Sequence, residues 1–360
     1  MLARAPGSNP LSGAKFFVDG PAHGAAAGAI AQLLGQDPAA YPDSYSWNDF
    51  SQYLASGPVR ARLARNPSLR YKVKLLEKIA REPEEQRFSL YSGGGGPGAI
   101  LGQVNKVFCS NLLADPSAIP IFTTFFLYQA GYCESASQII RNRPRFERQI
   151  NELAEGIGRR PAVVLMELDA IGASSCMAST GALGQWEGDI RYEINKISAL
   201  PHTVAYIEGG YSDANDVSYT ATALNAVGVR KIRGFFTNDT HNAWTINEIR
   251  WAQAVSRRTG GSHIIVNTAT NGQGPKLNPD PATQGIEDLC NAPGRGIGPR
   301  PTTHTGFRNV DAFLWTGVPG YSSGTCRGGT ASGTFWLARA LALAARAQGK
   351  LGPGYPDDPY

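Results

Sequence analysis

The sequence is poor in the residues that bind metals. Its 360 residues include five histidines and five cysteines. His23, His202, His241, His263 and His304 show no ligand spacing, so they read as ordinary surface or satisfied core residues. Cys109, Cys133, Cys176, Cys290 and Cys326 form no C-x-x-C pair, so no zinc site or other metal centre is expected. If two disulfides form, one thiol stays free, and spacing alone leaves the redox compartment open. No apolar run is long enough to span a bilayer, and no basic-led apolar segment of signal-peptide type opens the chain. The net charge of +5 is scattered rather than blocked, which argues against nucleic acid as a partner. No G-x-G-x-x-G or Walker lysine accompanies Gly93–Gly96, so that run reads as a flexible rim loop, and no cofactor is expected.

What is present is a globular core and many loops. Hydrophobic residues make up 42% of the chain, and 42 glycines and 24 prolines supply the turns. This length fits one large α/β domain or two ordinary ones. Residues 1–13 and 349–360 read as tails around a domain spanning 14–348.

The most informative stretch is Pro161-Ala162-Val163-Val164-Leu165-Met166-Glu167-Leu168-Asp169. An unalternating Val/Leu run reads as a strand buried on both faces. A carboxylate where such a strand stops is a candidate acid or base. Similar strands are expected at 15–19, 87–91, 119–128, 203–208, 232–238, 263–267 and 311–315. Helices are expected at 22–36, 58–82, 137–157, 187–199, 216–227, 245–258 and 333–347, with an excursion over 37–57. Strands roughly 30–40 residues apart are the size of a βα unit. Seven or eight parallel strands would close as a (β/α) barrel in a single domain. An open doubly wound sheet fits less well, because the first βα junction lacks a Gly-rich turn.

The C-terminal residues of these strands are Asp19, Tyr91, Tyr128, Asp169, Glu208, Asn238, Asn267 and Trp315. In a barrel they share one rim. Carboxylates, amides and hydroxyls beside an indole are the chemistry of a sugar site. Asn238-Asp239-Thr240 is a glycosylation sequon, but its place at a strand end makes modification unexpected. His241 and Trp244, which follow it, are candidate sugar contacts.

From Asn9-Pro10-Leu11-Ser12-Gly13 to the last helix the chain resembles glycoside hydrolase family 6, inverting enzymes that cleave β-1,4-glucans. The matching motifs run in order through Cys290-Asn291-Ala292-Pro293-Gly294-Arg295-Gly296-Ile297-Gly298, Pro301-Thr302-Thr303-His304-Thr305-Gly306 and Asp311-Ala312-Phe313-Leu314-Trp315. Asn267-Thr268-Ala269-Thr270-Asn271-Gly272-Gln273-Gly274-Pro275 resembles a further family motif and makes Asn271 a candidate substrate contact. The resemblance implies a distorted, incompletely closed barrel with its substrate in a tunnel or cleft. It also implies disulfides Cys133–Cys176 and Cys290–Cys326, with Cys109 a buried free thiol. Two bridges fit a secreted enzyme, acting as a monomer on an oligosaccharide or polysaccharide.

The implied catalytic set is incomplete. Glu167-Leu168-Asp169 matches the family's Glu-Pro-Asp, which makes Asp169 the general acid. The family's Arg-Asp-Cys is Gly131-Tyr132-Cys133 here, and its Asp-Ala-Gly-His is Glu208-Gly209-Gly210-Tyr211. Its Lys, Glu and proposed base Asp are replaced by Gly317, Tyr321 and Ser323. Ala214 and Phe88 stand where stacking tryptophans are expected. Trp315, Tyr128, Tyr132, Tyr211, Asn238, Tyr321 and Ser323 are therefore expected around the sugar. The base must come from another rim carboxylate, with Glu208 first and Asp213, Glu134 and Asp239 behind it. The rival expectation is a retired hydrolase that binds a glycan without cutting it.

Overall fold

The computed structural model describes residues 8–36, 47–90, 92–127, 133–278 and 288–357. Tyr91, Tyr128 and Tyr132 lie outside the described residues. Seven strands, β1 (Gln86–Ser89), β2 (Ile121–Phe125), β3 (Ala162–Met166), β4 (Thr203–Glu208), β5 (Gly234–Thr237), β6 (His263–Asn267) and β7 (Val310–Leu314), form one sheet in sequential order. Every adjacent pair is parallel. The fold is a distorted barrel left open between β1 and β7. The first expected strand is not one: Phe16 makes only a single parallel bridge to Ile119.

The helices are α1 (Pro21–Leu33), α2 (Trp47–Leu54), α3 (Gly57–Arg65), α4 (Pro67–Ala80), α5 (Ala99–Ala114), α6 (Ala136–Ile157), α7 (Ser174–Ser179), α8 (Leu183–Ser198), α9 (Val217–Val227), α10 (Thr245–Arg258) and α11 (Leu337–Ala345). Local chemistry sets several of their starts. Asn66 caps α4 by accepting from Leu69 N, and Pro67 supplies the preset first turn. Ser135 and Gln138 make a reciprocal capping box on α6. Asp216 caps α9 through Ser218 N and Tyr219 N, and left-handed Gly228 ends it. Among the described residues, no helix is long and apolar enough to cross a membrane.

The central strand shows why the core forms. All five β3 residues are buried. Val163 and Leu165 point into the barrel with Leu11, Tyr206, Phe236, Ile265 and Leu314. Ala162, Val164 and Met166 point outward against α5, α6, α8 and α10. This is the two-sided burial that an unalternating apolar run requires. A third cluster joins α1, α2, α4 and α11 and covers the gap between β7 and β1. Glu85 N donates to Trp315 O across that gap at 3.2 Å, and Arg87 Nη2 donates to Thr316 O at 2.7 Å.

Both expected tails are docked where they are described. Leu11 is fully buried inside the barrel, and Asn9 Nδ2 donates to Asp311 O. Leu351 O accepts from Ile246 N, and Asp357 Oδ1 accepts from Gly349 N. Proline and glycine content signalled irregular backbone there, but not its packing. Cys133–Cys176 and Cys290–Cys326 are bridged, closing separations of 43 and 36 residues. Loops of that size are worth about 3–4 kcal/mol each in the chain-entropy account. Cys109 is exposed rather than buried, because it lies on the solvent side of α5.

Candidate active site

The site forms where β3, β4 and β5 end. After Met166 the chain turns sharply, with Glu167 at φ 49° and Asp169 at φ 60°. Such left-handed non-glycine residues are strained, and the surroundings must hold them. Glu167 is fully buried, and its carboxylate accepts from Phe126 N and Leu127 N, both at 2.9 Å. Glu167 N donates to Thr124 Oγ1, which in turn donates to Glu193 Oε1 at 2.8 Å. Burial pushes Glu167 up to about 7, and burial with the neighbouring Glu167 pushes Glu193 well above the carboxylate range.

This turn leaves Asp169 half-buried at the rim. Its Oδ1 accepts from the Tyr211 hydroxyl and from Thr240 Oγ1, the latter at 3.2 Å. Thr240 Oγ1 is also 3.1 Å from Tyr211 OH. Tyr211 is buried and lies flat against His241, with ring centroids 3.9 Å apart and planes 10° from parallel. His241 Nδ1 is 2.9 Å from Asp213 Oδ1. Burial, together with the charges of Asp239, Asp169 and Glu208, holds the Tyr211 hydroxyl well above its ordinary value, so it stays a donor. Gly172 makes room for this ring: a Cβ there would sit 2.7 Å from Tyr211 Cε2.

Asp239 stands behind Asp169. Its Oδ2 accepts from Asp169 N at 3.2 Å. Its Oδ1 is buried and accepts no hydrogen bond among the described residues. Burial first, then the charge of Asp169, raises it to about 7.

Glu208 does not have the access a base needs. It is fully buried, with Oε2 accepting from Ile171 N (2.7 Å) and Gly172 N (2.9 Å) and Oε1 accepting from Gly210 N. Burial and the charges of Asp239 and Asp169 hold its pKa well above the carboxylate range, against the pull of these donors. It is a brace between two rim loops. Glu134 is buried too, and burial raises its pKa. Of the four candidate bases only Asp213 keeps intermediate exposure.

Several expected sugar contacts prove to be packing residues. Trp315 is fully buried in the cluster under α1, α4 and α11, with its indole N–H on Pro299 O. Asn238 is fully buried and bonds Ala243 and Asn267 O, which also closes the sequon to modification. Asn271 is buried against Ala243 O and Thr245 Oγ1. Phe88 stacks on Phe122. Trp244 is half-buried just before α10, and its indole lies so close to Gly274 that a Cβ there would not fit. Asn238 and Trp315 do follow strand ends, as expected, but their side chains turn into the protein.

Tyr321 donates to Pro21 O and packs edge-on against Phe335. It lines a cavity of about 880 Å³ with Asp19, Phe88, Arg87 and Phe335 at the open seam, away from Asp169. Ser323 is exposed, and its N donates to Asn291 Oδ1. Thr240, Glu193 and Glu248 were not picked out from the sequence. Glu248 is fully buried, accepts from Ser212 and Thr237, and is raised to about 7 by burial. Only the sequon marked Thr240. The two glutamates lie in helices, where nothing in the residue pattern separates them from surface glutamates. Among the described residues, no three His, Cys, Asp or Glu side chains are placed to share a metal ion.

Comparison with known proteins bears on this arrangement. Endoglucanase A of Cellulomonas fimi is 27% identical over 274 residues, covering 76% of this chain but only 56% of that protein. Endoglucanase 1 of Streptomyces sp. (strain KSM-9) is 28% identical over 297 residues, covering 81% of this chain and 77% of that protein. The endoglucanase Cel6 from Mycobacterium tuberculosis, solved with methyl-cellobiosyl-4-deoxy-4-thio-β-D-cellobioside, superposes with a TM-score of 0.69. It is 26% identical, and the match covers 94% of this chain and 99% of that one. The catalytic core of the cellobiohydrolase Cel6A from Chaetomium thermophilum shares the fold at a TM-score of 0.67 and 18% identity, over 94% of this chain and 99% of that one. Residues 130–347, which contain Asp169, Tyr211 and Asp239, match the glycosyl hydrolases family 6, and the chain belongs to that family.

Proposed function

We propose that the protein hydrolyses a β-1,4-glucan or a related glycan with inversion at the anomeric carbon, with Asp169 as general acid. The observation that carries this reading is the placement of Asp169. It ends a fully buried strand and is held in a left-handed turn by Glu167 and its backbone donors. It keeps a half-exposed carboxyl with two hydroxyls on one oxygen. A carboxyl so fixed can meet a glycosidic oxygen without reorganisation. The names of the relatives support the glucan, and two disulfides support an exported enzyme.

Inversion needs a base roughly 6.5–9.5 Å from the acid, with water between them. Asp213 is the least buried of the four, but its Oδ1 is held by His241 and its Oδ2 is itself buried, so it would have to turn outward to reach water. Reducing-end release from a glucan panel tests the reading, with product configuration followed by NMR. Asp169→Asn should abolish release, and full activity in that variant would sink the proposal.

A second reading, a glycan-binding protein that no longer cuts, draws on one observation. An exposed serine, Ser323, occupies the position of the expected base. Calorimetry with the same panel separates the two: binding with no new reducing ends over long incubation favours the second.

A further inference from the structure

We infer that Asp239 is a positioning residue that stores the proton for Asp169 and returns it through the Tyr211 hydroxyl. The inference rests on the hydrolase reading for its role in turnover, but the carboxyl pair itself can be measured without turnover.

Three features of the geometry lead to it. Asp239 and Asp169 are neighbours across the β3–β5 rim, joined by the 3.2 Å bond from Asp169 N to Asp239 Oδ2. The Tyr211 hydroxyl faces both carboxyls, and Thr240 Oγ1 bonds that hydroxyl and Asp169 Oδ1 together. Asp239 Oδ1 is buried without a hydrogen-bond partner among the described residues. An ionised oxygen left bare in the interior is costly, and a proton there removes the charge. The groups facing Asp239 are Asp169 from the end of β3, Glu208 from the end of β4, Tyr211 beyond it, and His241 from the following loop. Two of these are carboxyls, Tyr211 is a neutral phenol, and His241 is itself tied to Asp213. Burial, and then the charge of Asp169, raise Asp239 to about 7, in keeping with this arrangement.

The proton count closes. Asp169 gives its proton to the glycosidic oxygen as the C–O bond breaks, and is left a carboxylate. The Asp239 proton passes to the Tyr211 oxygen while the Tyr211 proton passes to Asp169. The base takes the proton of the attacking water and releases it to solvent, and Asp239, now ionised, regains one proton from solvent. Tyr211 ends as it began.

The experiment uses the full chain in two arms. In the first, kcat is followed against pH for wild type, Asp239→Asn and Tyr211→Phe, all checked for native circular dichroism. Both variants should lose on the order of tenfold in kcat near pH 6, at little changed KM. For Asp239→Asn the gap should close above about pH 8, where the wild-type store is empty as well. A loss that is uniform with pH, or no loss, overturns the inference. In the second arm, the Asp239 carboxyl is titrated by carbon NMR in the wild type and in Asp169→Asn. Removing the neighbouring charge should lower its midpoint by about one unit, and an unmoved midpoint also overturns the inference. A coupled titration in a protein that cuts no glycan supports the pair and removes the hydrolase reading instead.

Discussion

Tyr211 lies face to face with His241, ring centroids 3.9 Å apart, while its hydroxyl bonds Asp169. One aromatic wall thus positions the candidate acid. The wall is itself anchored by Asp213 through the His241 Nδ1 contact.

Removing the imidazole should loosen this wall. His241→Ala is expected to lower kcat about tenfold, since small misplacements of reacting groups are costly, and to cost about 1 kcal/mol of stability. His241→Phe keeps the flat contact and should recover most of the rate. Steady-state kinetics on a soluble glucan read both. If the phenylalanine variant is no better than alanine, the stack is not what positions Tyr211.

Glu208→Gln tests the brace. Three backbone N–H groups converge on the carboxylate, and an amide would turn a donor toward one of them. A loss of about 1–3 kcal/mol in urea unfolding is expected. Were Glu208 instead a base that water reaches, the same variant would lose kcat with little change in stability.

Stability should fall as pH rises from about 4 to 7. Glu167, Asp239 and Glu248 are each raised to about 7 by burial, whereas unfolded carboxyls titrate near 4. In that window the folded state holds more protons than the unfolded chain. The stabilisation is complete below the unfolded pKa and is lost as pH rises through the folded values. The loss should be several kcal/mol, since each such group alone contributes on the order of 3–4 kcal/mol, read from urea midpoints across pH. Glu248→Gln, away from the acid pair, should flatten the curve, and a curve rising over this range would contradict the assignment.

Trp315→Ala should act on the fold rather than on the substrate. The indole is fully buried at the seam and donates to Pro299 O, so a loss of about 3–5 kcal/mol is expected. Thermal unfolding would report it. A variant of native stability with a raised KM would return Trp315 to the sugar site.

Much of this protein follows from its residue pattern. The unalternating run at β3 and its repeats along the chain marked parallel strands, because two-sided burial leaves no room for a polar face. The carboxylate after β3 marked a candidate site, because in such folds strand ends face the rim. The tertiary structure decided which rim groups face outward. Asp169, Glu208, Asn238 and Trp315 all close apolar strands, yet only Asp169 keeps a half-exposed side chain. The left-handed turn at 167–169 carries Asp169 out, while converging backbone donors hold Glu208 in. The grouping of Asp169, Tyr211 and Asp239 also comes from the fold. Residues 42 and 70 positions from Asp169 in sequence meet only because neighbouring parallel strands end side by side. No local pattern encodes which of their side chains meet.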